Sequence, residues 1–477
     1  MYNNTVMWNL KKYSDNVAII DEFGSSLTYK ELAAEGRKLY DRVGKRCLVF
    51  ALCENSIGSV LGYATFIENL VVPVLLNAHM ERELLNNLLE AYKPSFLWAP
   101  QNMAEEFASS DNSVVYETHN YSLIKTGFDA DYPLYDELCL LLTTSGSTGS
   151  PKFVRQSYKN VLTNAQQIVE YLELNESERP ITTLPMNYTY GLSIINSHFL
   201  VGATLLVTDK GLMQKEFWNF FGEQGATSFG GVPYTYEMLN KLRIFRRDLP
   251  TLRYMTQAGG KITPELHQKF AEYAKESGKK FIVMYGQCEA TARMGYLPAD
   301  KALEKCGSMG VSIPGGKFTL IDVDGKEITE PDIAGELVYE GENVTLGYAE
   351  CGEDLGKGDE RGGLLKTGDV AKRDADGFYY IVGRMKRFLK IYGNRVNLDE
   401  IDRLIKGKFE GIDVACAGVD DHMYILLTDD RFAAEVREFV AHTTKLNPSA
   451  FKTVIIDEIP KNDAGKTLYK ELTKYYD

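Results

Sequence analysis

The chain has 477 residues, of which 44% are hydrophobic and 25% charged, and its formal net charge is −13. That length exceeds one ordinary domain and predicts a large core with a smaller additional unit. The negative charge argues against nucleic acid, whose phosphates require a basic surface, and it disfavours docking on an anionic membrane. The seven cysteines are scattered without Cys-x-x-Cys spacing, which disfavours a zinc site or a disulfide framework.

The apolar stretches are too short or too interrupted to direct the chain to a membrane. The N-terminal segment MYNNTVMWNLKKYSDN has no apolar core followed by a small-residue cleavage site, so we expect no secretory signal peptide. The most apolar region, 47–78, is broken by acidic and amide side chains, which is typical of a strand, a helix and a strand. We therefore expect a cytoplasmic protein without membrane insertion.

Short apolar runs alternate with amphipathic stretches through the first two-thirds of the chain. Helices are predicted, for example, at 56–68 and 262–278. This alternation predicts α/β architecture with largely parallel sheets. The predicted strands are 47–53, 71–76, 203–208, 226–232, 252–260 and 279–286.

The pattern changes twice near the C-terminus. From about Gly307, short strands such as GELVYEG and GFYYIVG are separated by glycine and aspartate turns, which predicts a small β-rich module. The basic stretch RMKRFLK then leads into a further α/β pattern. We predict an N-terminal domain at 1–383 and a C-terminal domain at 384–477, which is within the usual size range of domains.

The segment ELCLLLTTSGSTGSPK (137–152) is an apolar strand that runs into a loop of glycine and hydroxyl residues and ends at Lys152. Glycine allows backbone N–H groups to approach an anion closely, and hydroxyls add donors. The Walker pattern GxxxxGK[ST] is absent. A serine-rich turn is the structural alternative, but the buried strand before the loop and the lysine after it favour a phosphate-binding loop.

TTSGSTGSPK resembles the signature loop of the acyl-activating, AMP-binding superfamily of acyl-CoA synthetases, nonribosomal adenylation domains and luciferases. Further motifs follow in the family's order from about residue 137 to 470, and the resemblance is nearest to acyl- or aryl-CoA ligases. It implies a large N-terminal α/β domain of several subdomains, with a small β module, and a small mobile C-terminal α/β domain. It also implies that the loop binds nucleotide through Thr144, Ser145, Gly146, Ser147, Thr148, Gly149 and Lys152, with Thr144 also binding Mg²⁺.

Two segments, 184–207 and 229–239, resemble the family's acid pocket, with Tyr188, Gly191 and Gly231 as its predicted residues. Family members that use α-amino acids carry an aspartate early in the first segment, because a buried ammonium group needs a charged partner. No aspartate is present there. Tyr188 stands where acyl-CoA ligases often have histidine. These segments favour a substrate with an uncharged body.

Two further motifs resemble the family's adenine and magnesium site. In YMTQAGGKI the implied residues beside the base are Gly259, Gly260 and Lys261. In YGQCEAT the resemblance implies that Tyr285 stacks on adenine and that Glu289 binds Mg²⁺, which suits the preference of this ion for hard oxygen ligands. Gly286 and Cys288 complete the implied nucleotide-binding set.

Cys288 departs from the family pattern, which usually has threonine at this position. A thiol is a weaker hydrogen-bond donor than a hydroxyl. The change therefore bears on contact with the α-phosphate, and it keeps open a catalytically weakened, nucleotide-binding descendant.

The last motifs resemble the family's ribose site, hinge and catalytic lysine. Asp369 in Thr-Gly-Asp and Arg384 are implied to bind the ribose hydroxyls, and Lys386 is implied to be the hinge. Lys390 and Arg395 are implied to face the active site. Lys466, in PKNDAGK, is implied to stabilise charge as the carboxylate attacks the α-phosphate.

We therefore predict an AMP-forming acid–thiol ligase. It uses ATP and Mg²⁺ to make an acyl-adenylate, releases pyrophosphate, and transfers the acyl group to CoA or to the phosphopantetheine of an acyl carrier protein. Three alternatives remain: an amino-acid-activating enzyme, a P-loop kinase or NTPase, and a non-enzymatic binding module. Exchange that depends on amino acids would support the amino-acid-activating enzyme. ADP as product would support the kinase or NTPase, and ATP binding without AMP formation would support the binding module.

Overall fold

The computed structural model describes residues 7–107, 112–128, 130, 132–143, 152–392, 394–409, 411–461 and 467–476. Several predicted site residues lie outside this part, as do the side chains of Lys386 and Arg395. The predicted residues outside the described part are Thr144, Ser145, Gly146, Ser147, Thr148, Gly149 and Lys466.

Several helices begin at residues whose side chains accept hydrogen bonds from free backbone N–H groups. The Thr28 hydroxyl accepts from the Glu31 N–H while the Glu31 carboxylate accepts from the Thr28 N–H, which is a capping box at the start of the first helix. In chain order the helices are α1 (Tyr29–Val43), α2 (Ile57–Glu68), α3 (Arg82–Tyr92), α4 (Tyr158–Leu172), α5 (Thr189–Leu200), α6 (Lys215–Glu223), α7 (Pro233–Lys241), α8 (Pro264–Glu276), α9 (Leu398–Lys408) and α10 (Ala433–Thr444). Short 3-10 helices span Gln101–Phe107, Ile244–Arg246, Cys288–Ala290, Ala299–Lys301, Gly352–Gly356, Met385–Arg387, Asp430–Phe432, Pro448–Ala450 and Tyr469–Tyr475.

The strands are short, and those in the middle of the chain's large sheets are rich in buried aliphatic residues. In chain order they are β1 (Val17–Asp21), β2 (Ser26–Thr28), β3 (Leu48–Cys53), β4 (Val72–Asn77), β5 (Phe96–Pro100), β6 (Ser113–Thr118), β7 (Tyr121–Lys125), β8 (Leu138–Thr143), β9 (Phe153–Ser157), β10 (Leu205–Val207), β11 (Ser228–Gly231), β12 (Tyr254–Gln257), β13 (Lys280–Tyr285), β14 (Gly295–Tyr296), β15 (Val311–Ser312), β16 (Lys317–Ile321), β17 (Gly335–Glu340), β18 (Gly347–Ala349), β19 (Leu364–Arg373), β20 (Tyr379–Arg384), β21 (Phe388–Ile391), β22 (Asn394–Asn397), β23 (Val414–Val419), β24 (His422–Leu427) and β25 (Phe451–Ile455).

The largest sheet has the order β18-β9-β8-β4-β3-β5-β7-β6. Its centre is parallel, because β3 pairs with β4 and β5 in parallel and β4 pairs with β8 in parallel. Every residue of β3 is buried, as expected for a strand covered on both faces. The carboxyl end of β8 leads directly to the predicted phosphate loop.

A second sheet has the order β11-β12-β13-β14-β15, and its first three strands are parallel. Their carboxyl ends therefore lie at one edge, where ligands bind in open α/β sheets. This edge brings together the ends of the three segments in which the sequence predicts acid and nucleotide contacts.

The C-terminal third contains antiparallel sheets. The sheet β16-β17-β19-β20 is the predicted β-rich module. Beyond it, β21 pairs with β22, and β23, β24 and β25 form a three-stranded sheet. Two hydrophobic clusters of buried residues contain only side chains from Leu389 onward. The mixed α/β architecture predicted from the sequence is confirmed.

Most predicted elements are confirmed, with ends that differ by one to three residues. The predicted strand 252–260 ends earlier, at Gln257, because Gly259 has a φ of 84° that leaves the extended conformation. The predicted helix 56–68 begins at Ile57, with Ser56 as its N-cap. No helix within the described ranges is long and apolar enough to cross a membrane.

The buried carboxyl of Glu68, at the end of α2, predicts a pH-dependent stability. Burial raises its pKa from 4.5 to about 7, although the Trp8 N–H, which donates to Oε1 at 3.0 Å, favours the charged form. Because folding raises the pKa of Glu68, its contribution to the free energy of unfolding is complete below about pH 4.5 and is lost as the pH rises through 7. Glu68→Gln removes that loss while its amide oxygen still accepts from Trp8.

We therefore expect the Tm of Glu68→Gln to rise relative to the unchanged protein by about 2 °C between about pH 5 and about pH 8. Thermal unfolding followed by circular dichroism measures this shift. Exposed Glu105, changed to Gln, is the matched control and should show no such pH-dependent difference. Parallel Tm–pH curves for all three proteins would contradict the assignment.

Candidate functional site

The carboxyl ends of β12 and β13 form the centre of the candidate site. Gly259 and Gly260 follow β12, and the side chain of Gln257 fixes this turn because its Nε2 donates to the Gly260 carbonyl at 2.9 Å. Tyr285 is the last residue of β13. The structure therefore brings together three of the residues predicted to surround adenine.

Asp369 is a buried carboxylate held from three sides. Its Oδ2 accepts from the Tyr285 hydroxyl at 2.5 Å and from the Gln287 amide at 2.8 Å. Arg384 stands directly across the β19–β20 pair, with Nε 3.4 Å from Oδ1. The two residues predicted to bind the ribose hydroxyls are thus adjacent, and Tyr285 is bonded to one of them.

The electrostatics of this cluster follow from burial. Burial raises the pKa of the Asp369 carboxyl, and the Arg384 guanidinium together with the donors Tyr285 and Gln287 opposes that rise. Burial, with the charge of Asp369, also raises the pKa of the Tyr285 hydroxyl well above its ordinary value. Tyr285 is therefore a neutral phenol whose hydroxyl donates a hydrogen bond to Asp369. Within the described residues, Oδ1 of Asp369 makes no contact other than the ion pair with Arg384.

Glu289 belongs to a second polar cluster and lies a few residues after the end of β13. Its Oε1 accepts from the Tyr348 hydroxyl at 2.8 Å. The Lys152 ammonium lies 3.8 Å from the centroid of the Tyr348 ring, and the Arg361 guanidinium lies 4.7 Å from it. Burial, followed by the charge and the hydrogen bond of Glu289, raises the pKa of Tyr348 to about 12, so the phenol stays a donor.

This second cluster offers the kind of oxygen ligand that a hydrated magnesium ion uses. Among the described residues, nothing donates to Oε2 of Glu289, and no group of three or more His, Cys, Asp or Glu side chains forms a protein-only metal cage. Mg²⁺ usually binds one or two carboxylates and completes its shell with water and substrate phosphates. Glu289 therefore fits the ion, and cationic Lys152 and Arg361 fit the phosphates beside it.

The predicted acid-pocket residues lie beside this cluster. Tyr188 is the N-cap of α5, and Cys288 is close enough for its charge to contribute, after burial, to the raised pKa of the Tyr188 hydroxyl. Gly191 is required by close packing, since a Cβ there would be 2.3 Å from the Pro185 carbonyl oxygen. Gly231 ends β11 at the same edge.

A reversal of the chain at Thr291 shapes the floor of the site. Thr291 has a φ of 64°, and the Ala292 N–H bonds back to the carbonyl two residues earlier, which makes a strained γ-turn. Two hydrogen bonds hold it: its hydroxyl donates to the Asn343 carbonyl at 2.7 Å, and the Thr189 hydroxyl donates to its carbonyl. The turn folds residues 292–294 back against Gly286.

Two predicted residues make contacts away from the clusters just described. The Lys261 ammonium donates to the Ile381 carbonyl on β20 at 2.8 Å, so it bridges two sheets. Burial lowers the pKa of Lys261. Lys390 is exposed on the β21–β22 hairpin, where its backbone bonds to Asp420 and Asp421.

Just after Arg384, a buried arginine anchors the following 3-10 helix. Arg387 donates to Asp399 at 2.8 Å and to Asp402 at 2.7 Å, and its guanidinium lies 3.6 Å from the centroid of the Tyr469 ring. Asp399 also accepts from the Arg384 N–H at 3.2 Å. This network connects the predicted hinge segment to α9 and to the C-terminal 3-10 helix.

Sequence reasoning missed four side chains that shape the site. Gln287 occupies the variable position of Tyr-Gly-x, Tyr348 and Arg361 come from a distant segment, and Arg387 follows the predicted hinge. Only Tyr348 carried a usable signal, because it ends the segment GELVYEGENVTLGY (335–348), which begins with the strand motif GELVYEG. The other contacts arise from chain segments that lie tens of residues apart.

Comparisons with known proteins find a matching family model and similar relatives. The model of the family described as AMP-binding enzyme matches residues 6–349. Peroxisomal OPC-8:0-CoA ligase 1 of Arabidopsis thaliana is 29% identical over 353 residues, which cover 71% of this chain and 64% of that protein. The chain thus spans less than two thirds of that relative's length. The 2-succinylbenzoate–CoA ligase of Bacillus pumilus is 25% identical over 461 residues, which cover 92% of this chain and 91% of the relative.

Solved structures share the fold. The o-succinylbenzoate CoA synthetase MenE of Bacillus subtilis, in complex with the acyl-adenylate intermediate OSB-AMP, has a TM-score of 0.77 and 21% identity, with 97% of both chains covered. At this identity the likeness shows a common architecture and does not by itself assign a reaction.

The tight packing at Gly286 gives a stability prediction. A Cβ there would lie 1.7 Å from the Ala292 carbonyl oxygen, so Gly286→Ala must displace the backbone of the γ-turn. We expect it to lower the free energy of unfolding by about 1–3 kcal/mol, as overpacking does. Gly222→Ala is the control, because Gly222 lies exposed in α6 with no heavy atom within 4 Å of its added Cβ.

Chemical denaturation compares the two variants. The control should be unchanged or slightly more stable, since alanine favours helix by about 1 kcal/mol. A Gly286→Ala variant as stable as the control would show that the turn is not packed as described.

Proposed function

The chain belongs to the AMP-binding enzyme family, and we propose that it activates a carboxylic acid with ATP and transfers the acyl group to CoA. One observation carries the proposal: the Asp369–Tyr285–Gln287 cluster and the Glu289–Tyr348 cluster lie after the same strand, β13. The first offers acceptors for sugar hydroxyls, and the second offers a carboxylate and cations for a metal-bound polyphosphate.

The proposed first step is an in-line displacement at phosphorus. A carboxylate oxygen of the acid forms a bond to the α-phosphorus of ATP, the bond from that phosphorus to the bridging oxygen breaks, and pyrophosphate leaves. The chain contributes mainly by positioning and by stabilising charge. Asp369 and Arg384 would hold the ribose, Tyr285 would stack on adenine beside Gly259 and Gly260, and Lys466 would neutralise charge at the attacked phosphate.

Glu289 is the proposed protein ligand of Mg²⁺. When bound, the ion would neutralise phosphate charge and help to orient the pyrophosphate leaving group. Tyr348 orients the Glu289 carboxylate by donating to Oε1, and its ring contacts the cations of Lys152 and Arg361. The phosphate loop at 144–149, including Thr144, is the proposed cradle for the phosphates.

In the proposed second step, the thiol attacks the acyl carbonyl and AMP leaves with the oxygen that joined phosphorus to the acid. We propose that residues 384–477 rotate about a hinge near Lys386 between the two steps, so that Lys466 serves the first step. Lys390 and Arg395 would face the site in the second step. The Arg387 network supports this, because it ties the segment after the hinge to α9. The hydrogen bond from the Arg384 N–H to Asp399 crosses the proposed hinge and would break on rotation.

The acceptor favoured by the relatives is CoA. The two relatives described above are CoA ligases by name, and no carrier-protein enzyme is among them. Phosphopantetheine on a carrier protein remains the second acceptor to test. The cytoplasmic location expected from the sequence stays a prediction.

An ATP–pyrophosphate exchange screen tests the proposal. It should cover aryl acids and short, medium and long aliphatic acids, with amino acids included. Exchange that depends on a carboxylic acid, with AMP as product, would support the proposal. ADP formation would support a kinase, and amino-acid-dependent exchange would support the amino-acid-activating alternative.

Lys466→Ala should abolish exchange while largely sparing ATP binding. Losing a cation at the carboxylate–phosphate contact costs on the order of a hundredfold or more in rate. Exchange assays and ATP titration by calorimetry measure the two effects separately. Lys470→Ala, an exposed lysine in the following 3-10 helix, is the matched control. Equal activity of the two variants would remove Lys466 from the catalytic machinery.

Cys288→Thr should preserve or raise the adenylation rate. Threonine would supply a hydroxyl to the α-phosphate, and one neutral hydrogen bond is worth about 0.5–1.5 kcal/mol, or a roughly two- to tenfold gain in turnover. Cys288 is buried near Tyr188, so the competing outcome is that the thiol fills an apolar niche. Lost activity with a clear drop in Tm would favour that packing role.

A further inference from the structure

Arg293 is a buried arginine that has no carboxylate partner. The residue is 3% exposed, and no described carboxylate lies within 4.0 Å of its guanidinium. Its Nε donates to the Ser193 hydroxyl at 3.1 Å, and its Nη1 donates to the Tyr171 hydroxyl at 3.0 Å and faces the Met284 sulfur at 3.4 Å. Nη2 donates to nothing in the described part of the chain. Buried charges are normally paired, because desolvation of an unpaired charge is costly.

The guanidinium borders a small cavity enclosed by α5, β11 and β12. The cavity has a volume of about 10 Å³, which is room for roughly one water-sized group or one ligand oxygen. Half of its ten lining residues carry polar side chains, although most of the surface that faces the cavity is apolar, and no aspartate or glutamate belongs to it. The polar lining residues are His198, Ser228, Tyr254, Thr256 and Arg293.

The histidine of this lining contributes no charge. Its Nδ1 lies 2.8 Å from the Ile194 carbonyl, which only accepts, so Nδ1 carries the hydrogen and Nε2 accepts from the Tyr254 hydroxyl at 3.0 Å. Burial, with a smaller effect of Arg293, lowers the pKa of His198 to about 3. Glu178, whose charge acts on the Tyr254 hydroxyl, is paired with Arg253 at 2.8 Å. Arg293 therefore carries the net charge of the cavity lining.

A series of contacts connects the proposed phosphate site to the cavity through residues of the predicted acid pocket. Cys288, beside Glu289, lies near Tyr188. The Tyr188 ring contacts the Tyr190 ring at 6.4 Å between centroids, and the Arg293 guanidinium lies 5.3 Å from the centroid of Tyr190. The Tyr190 hydroxyl donates to Thr256, which lines the cavity. A molecule whose reacting end is at Glu289 would thus pass the two tyrosines before it reaches Arg293.

We propose that Arg293 forms a subsite for a second carboxylate, at the end of the acid remote from the reacting group. This proposal rests on the proposed function and narrows its substrate class to dicarboxylic acids. A carboxylate oxygen would occupy the cavity and accept from Nη2, a charge-assisted hydrogen bond. The tyrosines between the two ends suit the uncharged body expected from the sequence, and Arg293 adds a positive charge, which neither pocket segment contains.

The test measures exchange with matched acids at saturating ATP. The probes are straight-chain α,ω-dicarboxylic acids from succinate to sebacate, the monomethyl ester of each, and monocarboxylic acids of the same lengths. We expect the best diacid to exceed its monomethyl ester by about 10- to 100-fold in kcat/KM, the range for a hydrogen bond to a charged group. Diacids no better than their esters and the plain monocarboxylic acids would overturn the subsite.

Variants at Arg293 locate the effect. Arg293→Met should remove the preference by slowing the diacid about 10- to 100-fold while leaving the monomethyl ester unchanged or faster, and Arg293→Lys should be intermediate. Equal loss for diacid and ester would mean that Arg293 serves the reacting end or the fold, and would overturn the proposal. If Arg293→Met does not fold, Tyr171→Phe keeps the charge and removes only the hydroxyl that holds Nη1. It should slow diacids selectively.

A thermal-shift titration with the same acids separates the subsite from the reaction. If no acid supports exchange but diacids still raise the Tm more than their monomethyl esters do, the proposed function fails and the subsite stands. If monocarboxylic acids support exchange and diacids have no advantage in either assay, the proposed function stands and the subsite fails. If neither exchange nor a diacid-specific shift occurs, both are wrong.

Discussion

The buried carboxylate of Asp369 is the constraint on which the geometry of the site depends. It lies at the meeting point of the parallel sheet that ends at Tyr285 and the antiparallel sheet that contains Arg384. An isolated carboxylate at this depth would be costly, and the donors Tyr285 and Gln287 together with Arg384 compensate for that cost. Satisfying the carboxylate therefore fixes the two sheets relative to one another, and it positions the acceptor atom Oδ1 at their junction.

The same junction sets the start of the C-terminal segment. The Arg384 N–H donates to Asp399, and Asp399 is also held by Arg387. Arg387 is almost fully buried between two aspartates and the Tyr469 ring, so it belongs structurally to the segment that follows it. A proposed rotation near Lys386 would therefore occur between two firmly held arginines, one on each side. The short 3-10 helix Met385–Arg387 follows Arg384 and contains the proposed hinge residue Lys386.

The distribution of charge explains how an acidic chain can receive anionic substrates. The net charge of −13 is a property of the whole surface, whereas the candidate site gathers Lys152 and Arg361 around the Tyr348 ring and buries Arg293 beyond it. Cations held in partly desolvated surroundings act more strongly on a ligand than exposed ones do. The sequence composition argues against nucleic acid as a partner class but carries no information on this local arrangement.

Much of the fold was predictable from the sequence because its signals are local. The apolar run 47–53 and the helix predicted at 56–68 each depend on neighbours within a few residues, and the structure confirms them. The clusters around Asp369 and Glu289 were predictable only through the family resemblance, since each joins segments some 60 to 80 residues apart. Arg293 was missed. Its lack of a charge partner is a property of the packed structure, and an arginine after YGQCEAT looks ordinary in sequence.

The path of one oxygen atom tests the central claim most directly. The purified protein is incubated with ATP, Mg²⁺, CoA and an accepted acid whose carboxylate carries ¹⁸O, and the nucleotide products are analysed by mass spectrometry. If an acyl-adenylate forms by attack on the α-phosphorus, AMP must leave with one ¹⁸O and pyrophosphate must be unlabelled. ADP as the nucleotide product with the label in inorganic phosphate, or AMP without the label, would contradict the account.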